Sequence, residues 1–99
     1  MMEIPQETIN KLYKAISIQT THVLLGIHNH RLERMQPADT FIPVPAERLK
    51  KHLSITDRQL WNLVNQIPFF GYGEKRIDHN LHRCEIRINY DAIEALDAK

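Results

Sequence analysis

The sequence has one cysteine, three glycines and a net charge of only +1. A lone thiol, Cys84, cannot form an internal disulfide, which excludes a stapled secreted scaffold and fits a reducing cytoplasm. No apolar run approaches the ~18 residues that cross a bilayer, so no membrane span is expected. The start, Met1-Met2-Glu3-Ile4-Pro5, lacks a basic region leading into an apolar run, so no secretory signal is expected. There is no phosphate-cradling glycine motif, no internal repeat and no low-complexity segment. What is present is ordinary globular composition: 99 residues, 42% hydrophobic and 25% charged. That excludes a disordered tail, a collagen-like fibre and a coiled-coil rod. A single domain over residues 1–99 is expected. So small a core leaves little room for a deep substrate cleft, so neither an enzyme nor a cofactor is expected.

The distribution of charge says more than its total. Residues 1–47 hold four Lys/Arg and five Asp/Glu, and residues 88–99 hold one and three. Residues 48–87 hold eight (Arg48, Lys50, Lys51, Arg58, Lys75, Arg76, Arg83, Arg87) against four acids. Basic charge is concentrated where a polyanion could be faced, although a solvated mixed-charge surface has the same composition.

Hydrophobic periodicity then orders the chain. Ile9, Leu12, Tyr13 and Ile16 follow i, i+3, i+4, i+7 and predict a helix over residues 6–16, with Pro5 just before it. The apolar register runs on through Val23, Leu24, Leu25, Ile27 and Leu32. One long helix to about Arg34 would account for this, as would two helices. The caps offered by Ser17, Gln19, Thr20 and Thr21 favour a break there. Gly26, inside the second helix, costs about 1 kcal/mol relative to alanine, which a closely packed neighbour would explain. Residues 40–45, short and apolar with Pro43 and Pro45, read as an edge strand, because proline lacks the donor that a central strand needs. A helix through Leu53 follows, with Leu49 and Leu53 inward, then a tight turn at Ser54-Ile55.

Thr56 and Gln59 predict a capping box that opens the next helix, and Asp57 suits its dipole. Leu60, Leu63, Val64 and Ile67 share one arc of about 100°; Arg58, Gln59, Asn62, Asn65 and Gln66 lie opposite, with Trp61 at the boundary. Pro68 is expected to end this helix. Two alternating stretches, residues 74–78 and 83–89, predict a hairpin. Cys84, Ile86 and Ile88 would be buried and Arg83, Glu85 and Arg87 exposed. A short helix over residues 91–96 closes the chain, with Ile93 and Leu96 inward.

This order of elements over residues 17–96 resembles a winged helix-turn-helix domain. Residues 46–67 look like the helix-turn-helix, and FFGYG followed by KRID and RCEIRIN looks like the wing, at about residues 74–89. The NYDAIEAL ending is similar to winged-helix domains of phage and plasmid replication and maintenance proteins. The resemblance implies an α+β winged helix-turn-helix fold with an extra N-terminal helix. It further implies non-enzymatic binding of double-stranded DNA by a small regulator or accessory factor. The alternative is a winged helix that serves as a protein-interaction module.

If the resemblance holds, the helix opened by Thr56 is the recognition helix. Arginine pairs with guanine, and asparagine or glutamine with adenine, at base edges. That makes Arg58, Gln59, Asn62, Asn65 and Gln66 the candidate readers, with Thr56 at the helix start a further candidate DNA contact. Lys50 and Lys51 would hold phosphates before the turn, and Lys75, Arg76, Arg83 and Arg87 would follow the backbone from the wing. Residues 6–16 are extra to the pattern yet carry the stripe Ile9, Leu12, Tyr13 and Ile16. They can pack on their own domain; a symmetry mate, giving a homodimer, is the expectation adopted here.

Other constellations carry less. His28-Asn29-His30 has the residue order of a nuclease motif, but helical spacing puts the two histidines on different faces, so no catalytic role is expected. Asp78, His79, His82 and Cys84 include good Zn²⁺ ligands. Alternation sends Cys84 inward while the histidines occupy a turn tip, so no metal site is expected. A Cys–His nucleophilic pair lacks an orienting third group.

Overall fold

The computed structural model describes residues 3–98; Met1, Met2 and Lys99, which the single-domain expectation included, lie outside them. The described residues form an α+β domain of five α-helices and one three-stranded antiparallel sheet. In chain order these are α1 (Gln6–Ala15), α2 (Ile18–Glu33), β1 (Ile42–Pro43), α3 (Ala46–Leu53) and α4 (Asp57–Phe69). Then come β2 (Gly73–Asp78), β3 (Arg83–Ile88), α5 (Tyr90–Ala95) and a 3₁₀ turn (Leu96–Ala98).

The long apolar register is broken between α1 and α2, within the segment that the hydroxyl-rich sequence marks. Ser17 adopts φ 135°, and its Oγ accepts from the Thr20 N–H at 3.1 Å, which caps α2. One hydrophobic cluster joins every layer: Leu12 of α1, Val23, Leu24 and Ile27 of α2, Leu60, Val64 and Ile67 of α4, and Ile42 and Ile86 of the sheet. Gly26 has the close neighbour its cost called for, since a side chain there would overlap the Leu49 methyl of α3.

Four expectations need correction. Pro68 does not end α4; it occupies the last turn and the helix runs to Phe69. Proline removes one donor there, and with it a single bond near a helix end. The stripe on α1 does not wait for a symmetry mate. Leu12 and Ile16 are buried in the chain's own core, and Thr8 with them. The C-terminal 3₁₀ turn is the unforeseen partner: Thr8 Oγ1 donates to Asp97 at 2.7 Å and Lys11 Nζ at 3.1 Å. Ile9 and Tyr13 stay half-buried, and Tyr13 bonds His22 at 3.2 Å. Next, Glu85 is buried rather than exposed. It lies on the central strand of the sheet order β1-β3-β2, opposite Pro43 on one side and Arg76 on the other. Finally, the closing helix begins at Tyr90, not Asp91, because Asn89 leaves the strand to cap it: its Oδ1 accepts from the Ala92 N–H.

Candidate nucleic-acid interface

The turn between α3 and α4 sets the pose of α4. Ser54 takes the left-handed conformation (φ 55°, ψ 48°) without being glycine. Its own N–H and that of Ile55 both return to the Lys50 carbonyl. The capping box is complete: Thr56 Oγ1 accepts from Gln59 N–H at 3.2 Å, and Gln59 Oε1 accepts from Thr56 N–H at 2.8 Å. Gln59, a candidate base reader, and Thr56, a candidate DNA contact, are therefore engaged in building the helix start. Lys50 is engaged too. Its ammonium bridges Asp57 (2.6 Å) and Glu47 (2.8 Å) across the turn, and these hydrogen bonds, Asp57 first, raise its pKa. It clamps α3 to α4 rather than offering a free charge.

The outward stripe of α4 is composed of Arg58, Asn62, Asn65 and Phe69. Their spacing keeps them within about 60° of one another. All four are exposed, opposite the buried Leu60, Leu63, Val64 and Ile67. Arg58, Asn62 and, on α3, Lys51 make no hydrogen bond or ion pair among the described residues. Asn65 accepts from Lys75 Nζ at 2.6 Å. Gln66 instead accepts from Thr20 Oγ1 at 2.6 Å and ties α4 to the first turn of α2.

Strand register divides the hairpin cations between two faces. Lys75 pairs with Ile86 and Ile77 with Cys84, so these share the face that meets α4. Arg87, Arg76 and Arg83 pair with Glu74, Glu85 and Asp78 on the other face. There Arg76 Nε and Arg83 NH2 bond the two Glu85 oxygens at 2.8 and 3.0 Å, and Arg87 NH2 bonds Glu74 at 2.7 Å. The Phe41 ring lies under two guanidinium groups, 4.2 Å from Arg76 and 4.8 Å from Arg87. The Glu85 side chain is only 3% exposed, so this face is a salt-bridged ladder closed over a buried carboxylate. Lys75 alone of the hairpin cations faces α4. Phe41 and Glu85 escaped the sequence reading; the flanking of Glu85 by two arginines was the available signal.

Between α4 and the hairpin runs a groove of about 300 Å³ lined by Trp61, Asn65, Lys75, Ile77 and Cys84. Burial pushes the Cys84 thiol up, away from the thiolate that a nucleophile needs. At the hairpin tip, Asp78 Oδ1 accepts from the N–H groups of Asn80 and Leu81 and so closes the turn. No group of three or more His, Cys, Asp or Glu among the described residues is arranged to hold a metal ion.

The histidines of α2 belong to separate contacts. His28 is buried, with Nδ1 2.7 Å from the Tyr90 hydroxyl, which also accepts from Arg31 Nε at 2.8 Å. This cluster fastens α5 to α2; burial raises the Tyr90 pKa and Arg31 opposes the rise. His30 lies 3.1 Å from an Arg48 guanidinium nitrogen, and its pKa is lowered by burial and then by Arg48 and Arg34. No protein-family model, curated protein or solved structure matches the chain.

Proposed function

We propose that the chain is a winged-helix protein that binds double-stranded DNA through α4 and catalyses no reaction. The order helix, strand, helix, turn, helix, hairpin and the sheet order β1-β3-β2 support that fold. One observation carries the functional reading. The outward stripe of α4 presents Arg58 and Asn62 unengaged near its N-terminal end, the end that such helices push into the major groove. Arg58 and Asn62 would read base edges, Asn65 would stand behind them, and Lys51 and Lys75 would meet phosphates from either side. Thr56, Gln59, Lys50 and Gln66 shape the helix instead. The cations Arg76, Arg83 and Arg87 occupy the other face of the sheet and are not part of this surface.

A short helix reads only a few base pairs, so a homodimer with two copies about one helical turn apart belongs to the same proposal. So does a regulatory or accessory role of the phage or plasmid kind. The test is selection of bound sequences from random duplex DNA, followed by anisotropy titrations at two salt concentrations. A recovered consensus and an affinity that falls with salt support the reading. The second reading, a protein-interaction module, draws on the ion pairs that occupy most of the basic residues and on the exposed Phe69, Phe70, Ile77 and Leu81. Absence of duplex binding at low salt would favour it.

A further inference from the structure

The outward stripe of α4 ends in an aromatic that the fold does not use. Phe69 is 80% exposed, and neither it nor Phe70 packs on the hydrophobic cluster. Yet the ring is held in place. Phe70 meets it edge to face, with centroids 5.0 Å apart and planes at 90°. The backbone beneath is tied by Phe70 N–H to Gln66 O, Gly71 N–H to Pro68 O and Tyr72 N–H to Ile67 O. Gly71 permits this closure by taking φ 86°. One turn back, Asn65 holds the ammonium of Lys75 at 2.6 Å.

We infer that Phe69 is a stacking platform for an unpaired nucleobase at the edge of the bound DNA, with Lys75 on the adjoining phosphate and the Asn65 amide beside it. The inference rests on the reading of α4 as the DNA-binding helix and adds a substrate class to it: duplex that carries a single-stranded extension or an opened base. Geometry is the reason. Arg58 and Phe69 are eleven residues apart, about 16 Å along the axis at 1.5 Å per residue. The major groove is only about 8.5 Å deep, so a helix entering N-terminus first carries Phe69 clear of the stacked bases. A base reaches the ring only by leaving the stack. The chemistry fits such an occupant: an aromatic face accepts any base, and the stripe with Lys75 carries two cations and no carboxylate. A protein partner would use the same rings without needing Lys75.

The experiment compares a blunt duplex with the same duplex bearing a short single-stranded extension and 2-aminopurine at the junction. The expected result is about tenfold tighter binding of the extended duplex, with quenched 2-aminopurine fluorescence. In Phe69→Leu the preference and the quenching are lost while blunt-duplex affinity holds; Phe69→Trp retains both. Phe69 is exposed, so the variants keep the fold, which circular dichroism checks. Equal wild-type affinity for the two duplexes, or a preference that survives Phe69→Leu, would overturn the inference and leave the parent reading standing. Binding of neither duplex would overturn both. A loss of self-association in Phe69→Leu, read by light scattering with the preference intact, would assign the rings to a second copy and overturn the stacking role.

Discussion

Replacing Gly26 by alanine sets two well-measured effects against each other. Alanine is favoured over glycine inside a helix by about 1 kcal/mol, so the change should stabilise α2 if nothing touches it. The added methyl would overlap Leu49 Cδ2, however, with Cγ at 3.5 Å and Cδ1 at 3.8 Å behind it. Leu49 is buried at 4% exposure. Relieving such overpacking in a packed site costs about 1–3 kcal/mol. A groove of about 430 Å³, lined by Gly26 and Leu49 among others, gives the leucine some room to rotate, which places the cost near the middle of that range. The net expectation is destabilisation by about 1 kcal/mol, a fall in Tm of about 4–8 °C for a domain this size. Thermal and urea unfolding followed by circular dichroism would measure it. The mechanism has a second signature: with Leu49→Ala already in place, Gly26→Ala should become stabilising, so the two changes couple favourably. A Gly26→Ala protein more stable than wild type by about 1 kcal/mol, or strict additivity in the double mutant, would refute the close approach of α2 and α3.

Three further predictions address the sheet, the termini and the binding face. Glu85→Ala leaves two half-exposed arginines that water can solvate and should cost about 1–2 kcal/mol. Arg76→Ala with Arg83→Ala strands the carboxylate under the sheet face and should cost more, about 3–5 kcal/mol; the reverse order in urea unfolding would contradict the burial of Glu85. Asp97 has its pKa lowered by the Thr8 hydrogen bond and then by Lys11. Its contribution is therefore present above the unfolded carboxylate value of about 3.9 and is lost as pH falls through the folded value; the stability gap between wild type and Asp97→Asn should close over that acid range. In anisotropy titrations, Arg58→Ala and Asn62→Ala should each weaken specific DNA binding by about 1–3 kcal/mol, whereas Arg83→Ala with Arg87→Ala should change it little. Equal losses from both sets would place the far face of the sheet at the DNA.

Elements whose cause is local were legible in the sequence. The capping box of Thr56 and Gln59 needs only residues three apart, and the buried arc of α4 needs only its own period. The break before α2 follows from the serine that caps it. Elements whose cause is distant were not. Alternation along β3 marks Cys84, Ile86 and Ile88 as inward but says nothing about what covers the opposite face. Glu85 is buried there because Arg76 crosses from β2 and Arg83 folds back from its own strand. The Arg76 and Arg87 guanidinium groups stack on Phe41, which the chain brings alongside β3 through β1. The stripe of α1 was legible as a surface to be covered; Leu12 and Ile16 join the chain's own core, and beside them Thr8 and Lys11 bond Asp97, more than eighty positions away. The candidate readers divided the same way. Spacing alone put Gln59 and Gln66 beside Arg58, and only their bonds to Thr56 and Thr20 show that they are engaged.

The ion pairs also change what the excess of basic residues over 48–87 means. Of those eight cations, Arg48 pairs with Glu33, Lys50 with Glu47 and Asp57, Arg76 and Arg83 with Glu85, and Arg87 with Glu74. Lys51, Arg58 and Lys75 face no carboxylate among the described residues, and they lie on α3, on α4 and on the hairpin face that meets α4. Arg58 is spent on a base if the proposal holds, which leaves two phosphate contacts per copy, Lys51 and Lys75. Each contact contributes about −0.9 to the slope of log K against log salt on duplex DNA. One copy should therefore show a slope of about −2, and two copies bound together about −4. The slope thus counts copies on the DNA, and light scattering of the free protein shows whether they arrive together. Lys51→Ala should reduce the slope by about one unit per copy. A slope of about −4 to −5 for a single bound copy would mean that the ladder of Arg76, Arg83 and Arg87 opens to engage phosphates, and the division of the hairpin into a binding face and a closed face would fail.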